Sequence, residues 1–397
     1  MLDEYFHGTL PQLIERGRLL KGKIPRNLPR DYDSLIRACD LELDGIISRL
    51  RDLQTPLNAE SNTLRHAQLR KFRRAVADLD HVETTGIAAL NRAHEDDHHA
   101  NRLLYKICKE IDYPWITPTV TTLSTSHFYI DTRLNLMFIP PAEGSFLLHL
   151  PDLYHELAHP LLARTNNPVL DKLHSCYLQC TAYLHDYFAR MRQTEDARRG
   201  PQAFKDSVDR WEILWTKYWL VEFFCDLFAV ATLGPAFAWA HLHLYMKTGR
   251  NAFSVPSGIR IATHPADDAR MRAVLASLQK TGFTDAADAI TVRWNKALRL
   301  SDDERDPDYA HCYPDDLIDR VVAMALEGVR AMDCRIAGPN SGDPIFALLN
   351  EAWDRFWSDP DTYHRWESEA VNALLDHCQS GGASITIPDT ISSGAAY

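Results

Sequence analysis

The sequence predicts a mainly α-helical protein with one small β-sheet, an α+β chain. Three observations predict this. Apolar residues recur at helical spacing through most of the chain. A Thr-, Tyr-, Phe- and Ile-rich stretch occurs once, between Thr117 and Ile139. Breaks such as Gly234-Pro235, 302–308 and 338–343 punctuate the helical runs.

Length and composition set the outer bounds. The 397 residues have room for two or three domains, and 45% hydrophobic with 24% charged residues is ordinary for a protein with a sizeable core. There are 43 basic and 54 acidic residues, a net charge of −11, which argues against nucleic acid or an anionic membrane as a general partner. The run Arg70, Lys71, Arg73 and Arg74 reads as a solvated helix face. Met1 to Leu10 contains Asp3, Glu4 and His7 and lacks the apolar stretch of a secretory signal. The eight cysteines show no disulfide spacing, so reduced thiols and a cytoplasmic location are expected, with Cys176 and Cys180 read as core residues.

The elements follow in order. Leu35, Ile36, Leu43, Ile46, Ile47 and Leu50 give a helical period from Tyr32 to Leu53. A second helical region covers roughly 60–111, interrupted near 84–86. Its Asp96, Asp97, His98 and His99 lack ordered ligand spacing and read as a solvated face. His127 to Asp131 and Leu134 to Ile139 read as two short strands around Thr132-Arg133, the second ended by Pro140-Pro141. A helix is expected to begin near Pro151, a residue suited to the first helical position. Others are expected at about 168–192, 208–232 and 265–280. Leu227 to Met246 carries no charged side chain over twenty residues, but Gly234-Pro235 interrupts it, so two buried helices are expected and not a membrane span. The expected organisation is an N-terminal helical region over 1–112, a core over 113–285, a C-terminal helical region over 286–378 and a flexible tail over 379–397.

The chemistry concentrates in three segments. In His155-Glu156-Leu157-Ala158-His159 the histidines are four apart and project from one helix face, where both imidazoles can reach one Zn²⁺. Glu156 sits at the edge of that face, placed to take a proton from a zinc-bound water. Leu150, Leu153 and Leu157 supply the opposite, buried face. Trp219 to Phe228 is apolar on nearly every side, yet holds Glu222 and Asp226 one turn apart. Buried carboxylates need a metal, a base or a hydrogen-bonded partner. Glu222 is the expected third metal ligand, and Asp226 the acceptor that fixes the tautomer of a ligand histidine. In Thr263-His264-Pro265-Ala266-Asp267-Asp268-Ala269-Arg270-Met271, His264 arrives at a loop–helix junction, placed to donate to a developing oxyanion. Arg270 is expected to brace Asp226 or Glu222.

In order and spacing these three segments resemble the gluzincin metallopeptidases. They look most like the branch of the CAAX-prenyl endopeptidases and heat-shock-induced membrane peptidases. The resemblance covers roughly 145–280 and implies a zincin-like core. It implies His155, His159 and Glu222 as metal ligands, Glu156 as base, Asp226 as the following carboxylate, and His264, Pro265 and Arg270 as the His-Pro…Arg element. Two features depart from it: relatives in that branch are usually integral membrane proteins, and Pro160 directly follows the second histidine. Proline removes a helical donor and disfavours helical geometry just before it, so a kink or helix end is expected there.

The expected function is zinc-dependent hydrolysis of peptide bonds, with one Zn²⁺ per chain and a protein or peptide substrate. Candidate hydroxyls for the oxyanion are Tyr154, Tyr218 and Tyr245. The strand from Leu134 to Ile139 is a candidate to pair with an extended substrate. No Gly-x-Met-Glu-Asn segment is present, which lowers an aminopeptidase reading. Two alternatives stand beside the peptidase. One is a catalytically silent, metal-stabilised interaction scaffold. The other is a regulated protease effector of toxin, defence or stress type, whose helical arms gate the cleft or meet a regulatory protein.

Overall fold

The computed structural model describes residues 2–54, 62–124, 127–141, 143–164, 167–194, 201–256, 261–380 and 385. The chain is mainly helical with one three-stranded sheet, the α+β class that the sequence predicts. It divides into two compact units, Met1–Tyr105 with Ile116–Pro141, and Lys106–Trp115 with Ala142–Tyr397. These are not the divisions expected at 112 and 285. The strands join the N-terminal helices, because their apolar faces complete that core. The C-terminal helices belong to the unit that carries the HExxH segment.

The first unit contains α1 (Leu2–Lys23), α2 (Asp33–Asp52), α3 (Asn62–His81), a π-helical turn at Val82–Ile87, α4 (Ala88–Asn91) and most of α5 (Glu95–Glu110). Of the apolar stripe of α2, Leu35, Leu43, Ile46, Ile47 and Leu50 are buried as the period predicts and Ile36 is partly buried; with Cys39 they meet Leu79, Val82, Leu134, Leu136 and Phe138 in one core. The π turn coincides with the interruption expected at 84–86. Gly86 is required there, because a Cβ would lie 2.5 Å from Cys39 Sγ. Arg70, Lys71, Arg73 and Arg74 are exposed on α3, as expected. Asp97 is a correction. It is buried and accepts from the Thr122 N–H at 2.6 Å and the Thr122 hydroxyl at 2.7 Å, so it ties α5 to the loop after the first strand.

The sheet has strands β1 (Thr119–Thr121), β2 (Tyr129–Asp131) and β3 (Leu136–Phe138) in the order β1-β3-β2. β3 runs parallel to β1 (Val120 opposite Met137) and antiparallel to β2 (Ile130 opposite Met137). The two expected strands are present, and β1 is an addition. Because β3 is central, both its edges are already paired. The expected role of Leu134 to Ile139 in pairing with a substrate is therefore withdrawn.

The second unit contains α6 (Asp152–Ala163), α7 (Asp171–Met191), α8 (Pro201–Leu214), a π-helical segment at Trp215–Trp219, α9 (Leu220–Leu233) and α10 (Pro235–Thr248). These are followed by α11 (Asp267–Lys280), α12 (Thr284–Ser301), α13 (Tyr309–Cys312), α14 (Asp315–Arg330), α15 (Pro344–Ser358) and α16 (Pro360–Ser380). α9 is buried on almost every side and packs against α6, α10, α11 and α14. That explains its charge-poor sequence without a membrane. Gly234, at φ +73, turns the chain from α9 into α10. No helix among the described residues is long and apolar enough to cross a membrane. The expected tail begins inside α16, which includes 379 and 380. Its remainder, residue 385 apart, lies outside the described residues.

Candidate metal centre

α6 and α9 build the centre by packing face to face. On α6, Leu153, Leu157 and Leu161 are buried, which turns His155, Glu156 and His159 to a common side. The helix runs through Pro160 to Ala163, so the expected break after His159 does not occur. Proline has no N–H for the Glu156 carbonyl four residues back. The next turn is held from outside instead. The Tyr113 hydroxyl donates to the Leu157 carbonyl at 2.8 Å, and His174 Nε2 lies 2.8 Å from the Leu161 carbonyl.

His155 is gripped at both ring nitrogens. Its Nδ1 is 2.8 Å from Asp226 Oδ1, and its Nε2 is 3.3 Å from Glu222 Oε2. Asp226 is fully buried and also accepts both arms of Arg270, Nε to Oδ2 at 2.8 Å and a terminal nitrogen to Oδ1 at 2.6 Å. A carboxylate on Nδ1 fixes the tautomer and leaves Nε2 to face the centre. Of the two carboxylates open to Arg270, Asp226 is the one it braces. His264 is half-exposed, and its Nε2 also lies 3.3 Å from Glu222 Oε2. Yet that oxygen is buried with no hydrogen-bond partner. A buried carboxylate oxygen that faces two imidazole nitrogens without hydrogen-bonding to either is an arrangement that a cation would satisfy. The donor set therefore fits a divalent metal with a taste for nitrogen and oxygen.

His159 stacks edge-on to His155 with ring centroids 5.1 Å apart, and its Nε2 is 3.9 Å from Glu156 Oε2. The structure does not group the expected set of His155, His159 and Glu222: Glu222 lies against His155 but outside the group that His155 forms with His159, and a residue that the sequence did not single out takes its place. Among the described residues, one group of His, Cys, Asp or Glu has ligand atoms all within 4.8 Å of one another: His155, His159 and Cys225. Glu222 touches His155 and His264, and Cys225 completes the group with His159. Its position is the available signal. Of eight cysteines, Cys225 alone falls between the two buried carboxylates of α9.

Proton affinities diverge strongly across the centre. Burial pulls His155 down, but Asp226 and Glu222 together outweigh it, and the imidazole is pushed up to about 10. Burial, aided by the charge on His155, pulls His159 down to about 4. Burial pushes Glu156 up to about 8, with His155 opposing. Burial would raise Glu222 and Asp226 as well. His155 instead holds Glu222 down at about 2, and Arg270 with His155 keeps Asp226 well below the usual carboxylate range. Two carboxylates thus stay ionised while a third readily accepts a proton, a division suited to base chemistry beside a cation.

The candidate tyrosines separate clearly. Tyr154 is fully buried, with its hydroxyl partnerless in the core, and Tyr245 donates to Asp303 at 2.9 Å. Tyr218 is half-buried on the π-helical segment, one turn before Glu222. No family model, no curated protein and no solved structure matches the chain.

Proposed function

We propose that the chain is a zinc-dependent metallopeptidase of gluzincin type, acting in the cytoplasm on protein or peptide substrates. The observation that carries this reading is His155, fixed at Nδ1 by the Asp226–Arg270 pair while its Nε2 and the unpartnered Glu222 Oε2 face each other at 3.3 Å. His155, His159 and Glu222 would hold one Zn²⁺ per chain. Zinc bound there would polarise a scissile carbonyl and acidify water.

The protein's own groups do the remainder. Glu156, with its affinity for protons raised, takes a proton from the attacking water on its carboxylate and hands it to the leaving amine. His264, half-exposed beside Glu222, donates a hydrogen bond to the developing oxyanion, with Tyr218 as the remaining candidate hydroxyl. Asp226 and Arg270 keep the His155 ring in one orientation throughout.

Glu156→Gln tests the reading, because it keeps shape and removes the base. The purified variant should retain about one zinc per chain and lose cleavage of an unfolded protein substrate by at least about 100-fold, read as new termini by mass spectrometry. A folded wild type without zinc, or a variant that cleaves normally, would overturn it. One observation favours the scaffold as a second reading: a thiol stands within the His155–His159 group. Closed, thiol-containing zinc sites are usually structural. If Glu156→Gln kept the full cellular effect of the wild type, the scaffold would be preferred.

A further inference from the structure

Cys225 lies on the innermost face of α9 with no exposure to solvent, three residues after Glu222 and next to Asp226. Its sulfur, a nitrogen of His155 and a nitrogen of His159 are mutually within 4.8 Å. A second and independent feature lies against the same histidine: the buried Glu222 Oε2, 3.3 Å from His155 Nε2 and without a hydrogen-bond partner, although Glu222 is not itself within the 4.8 Å group. A core thiol needs no such company. Among the described residues, Cys176 and Cys180 on α7 are buried but belong to no such group with imidazoles.

We propose that Cys225 is a fourth protein ligand of the metal, which closes the centre in the resting protein. This rests on the proposed zinc site and adds a regulation to it. On metal binding the Sγ–H bond breaks, the sulfur keeps the electron pair and bonds the metal, and the proton leaves to a buffer base. No oxidant is involved. His155, His159 and Cys225, already grouped, and Glu222, drawn in from beside His155, then supply four donors, the count of a closed tetrahedral zinc site with no position for water. Displacement of the thiolate is the step that opens the centre. The thiolate also biases the site towards soft-tolerant ions such as zinc, cobalt and cadmium over magnesium or manganese.

The test uses the full chain, stripped of metal and reloaded with Co²⁺. Wild type should show the visible ligand-field bands of tetrahedral cobalt and an intense near-ultraviolet thiolate-to-cobalt band. Cys225→Ala should lose the second and keep the first. Thiocyanate should perturb the visible bands of the variant and leave those of wild type unchanged. Visible bands without the thiolate band in wild type would overturn the role of Cys225 and leave the zinc site standing. A thiolate band that survives in Cys225→Ala, or an equal thiocyanate response in both proteins, would also overturn it. Failure of folded wild type to bind cobalt or zinc would instead remove the proposed function itself. Should the variant not fold, zinc-edge X-ray absorption of wild type decides: one sulfur at about 2.3 Å supports the ligand, and a shell of nitrogen and oxygen alone refutes it.

Discussion

At the scale of single residues, the strongest constraint is the buried triad of His155, Asp226 and Arg270. Each member satisfies another's charge, so removing one leaves a buried group uncompensated. Asp226→Asn preserves shape but strands the Arg270 guanidinium and weakens the hold on His155 Nδ1. It should cost about 3–5 kcal/mol in chemical denaturation. It should also lower zinc affinity about 10- to 100-fold in a competition titration. Unchanged zinc affinity in a folded variant would separate Asp226 from the centre. A different histidine carries a pH prediction. His243 lies against His149, Trp353 and Phe356, with ring centroids 5.5, 5.8 and 6.5 Å away. Burial lowers its pKa to about 4, the charges on His149 and Lys247 add to that, and Glu143 opposes it. A histidine depressed from 6.5 on folding stabilises the fold above pH 6.5, and this contribution is lost as pH falls through about 4. His243→Gln removes that titration. Its stability relative to wild type should therefore improve as the pH is lowered across this window. A difference that stays constant with pH would assign the acid sensitivity elsewhere.

At the scale of elements, periodicity carried the reading well where one face is apolar. α2 was legible from its stripe, and α9 from two carboxylates in an otherwise apolar segment. The ligand spacing on α6 was legible too, because a four-residue step is a property of the helix itself. Pro160 misled for a physical reason. Sequence sees the missing donor, whereas packing supplies other partners to the next turn, including the Tyr113 hydroxyl on the Leu157 carbonyl. Strand β1 escaped notice because three residues carry too little alternation to read. The order β1-β3-β2 depends on long-range pairing that no local pattern encodes. The π turn at Val82–Ile87 is the element with the sharpest packing requirement. An added methyl at Gly86 would meet Cys39 Sγ at 2.5 Å and Leu134 Cδ1 at 3.1 Å. Overpacking of this kind typically costs about 1–3 kcal/mol, so Gly86→Ala should lower the stability of the first unit by that amount in urea, read by far-ultraviolet circular dichroism. A neutral result would mean that the turn yields to the methyl.

At the scale of the whole molecule, the division into two units could not be read from composition, since helices of similar polarity fill both. It follows from which apolar faces find each other, and it places the candidate centre entirely in the second unit. All nine tryptophans, from Trp115 to Trp366, belong to the second unit, whereas helices in both units contribute to circular dichroism. A metal bound only by the folded state stabilises by mass action, by about 2.7 kcal/mol when free metal is 100 times its dissociation constant. Removing zinc with a chelator should therefore move the tryptophan-fluorescence midpoint to lower temperature. The circular dichroism trace should retain a component that does not move, belonging to the helices of the first unit. Restoring zinc should return the fluorescence midpoint to its starting value, which distinguishes metal loss from damage. If both probes shifted together, the two units would unfold as one cooperative body. If neither shifted in a protein that had carried zinc, the metal would contribute nothing to the fold and the centre would be assembled without it.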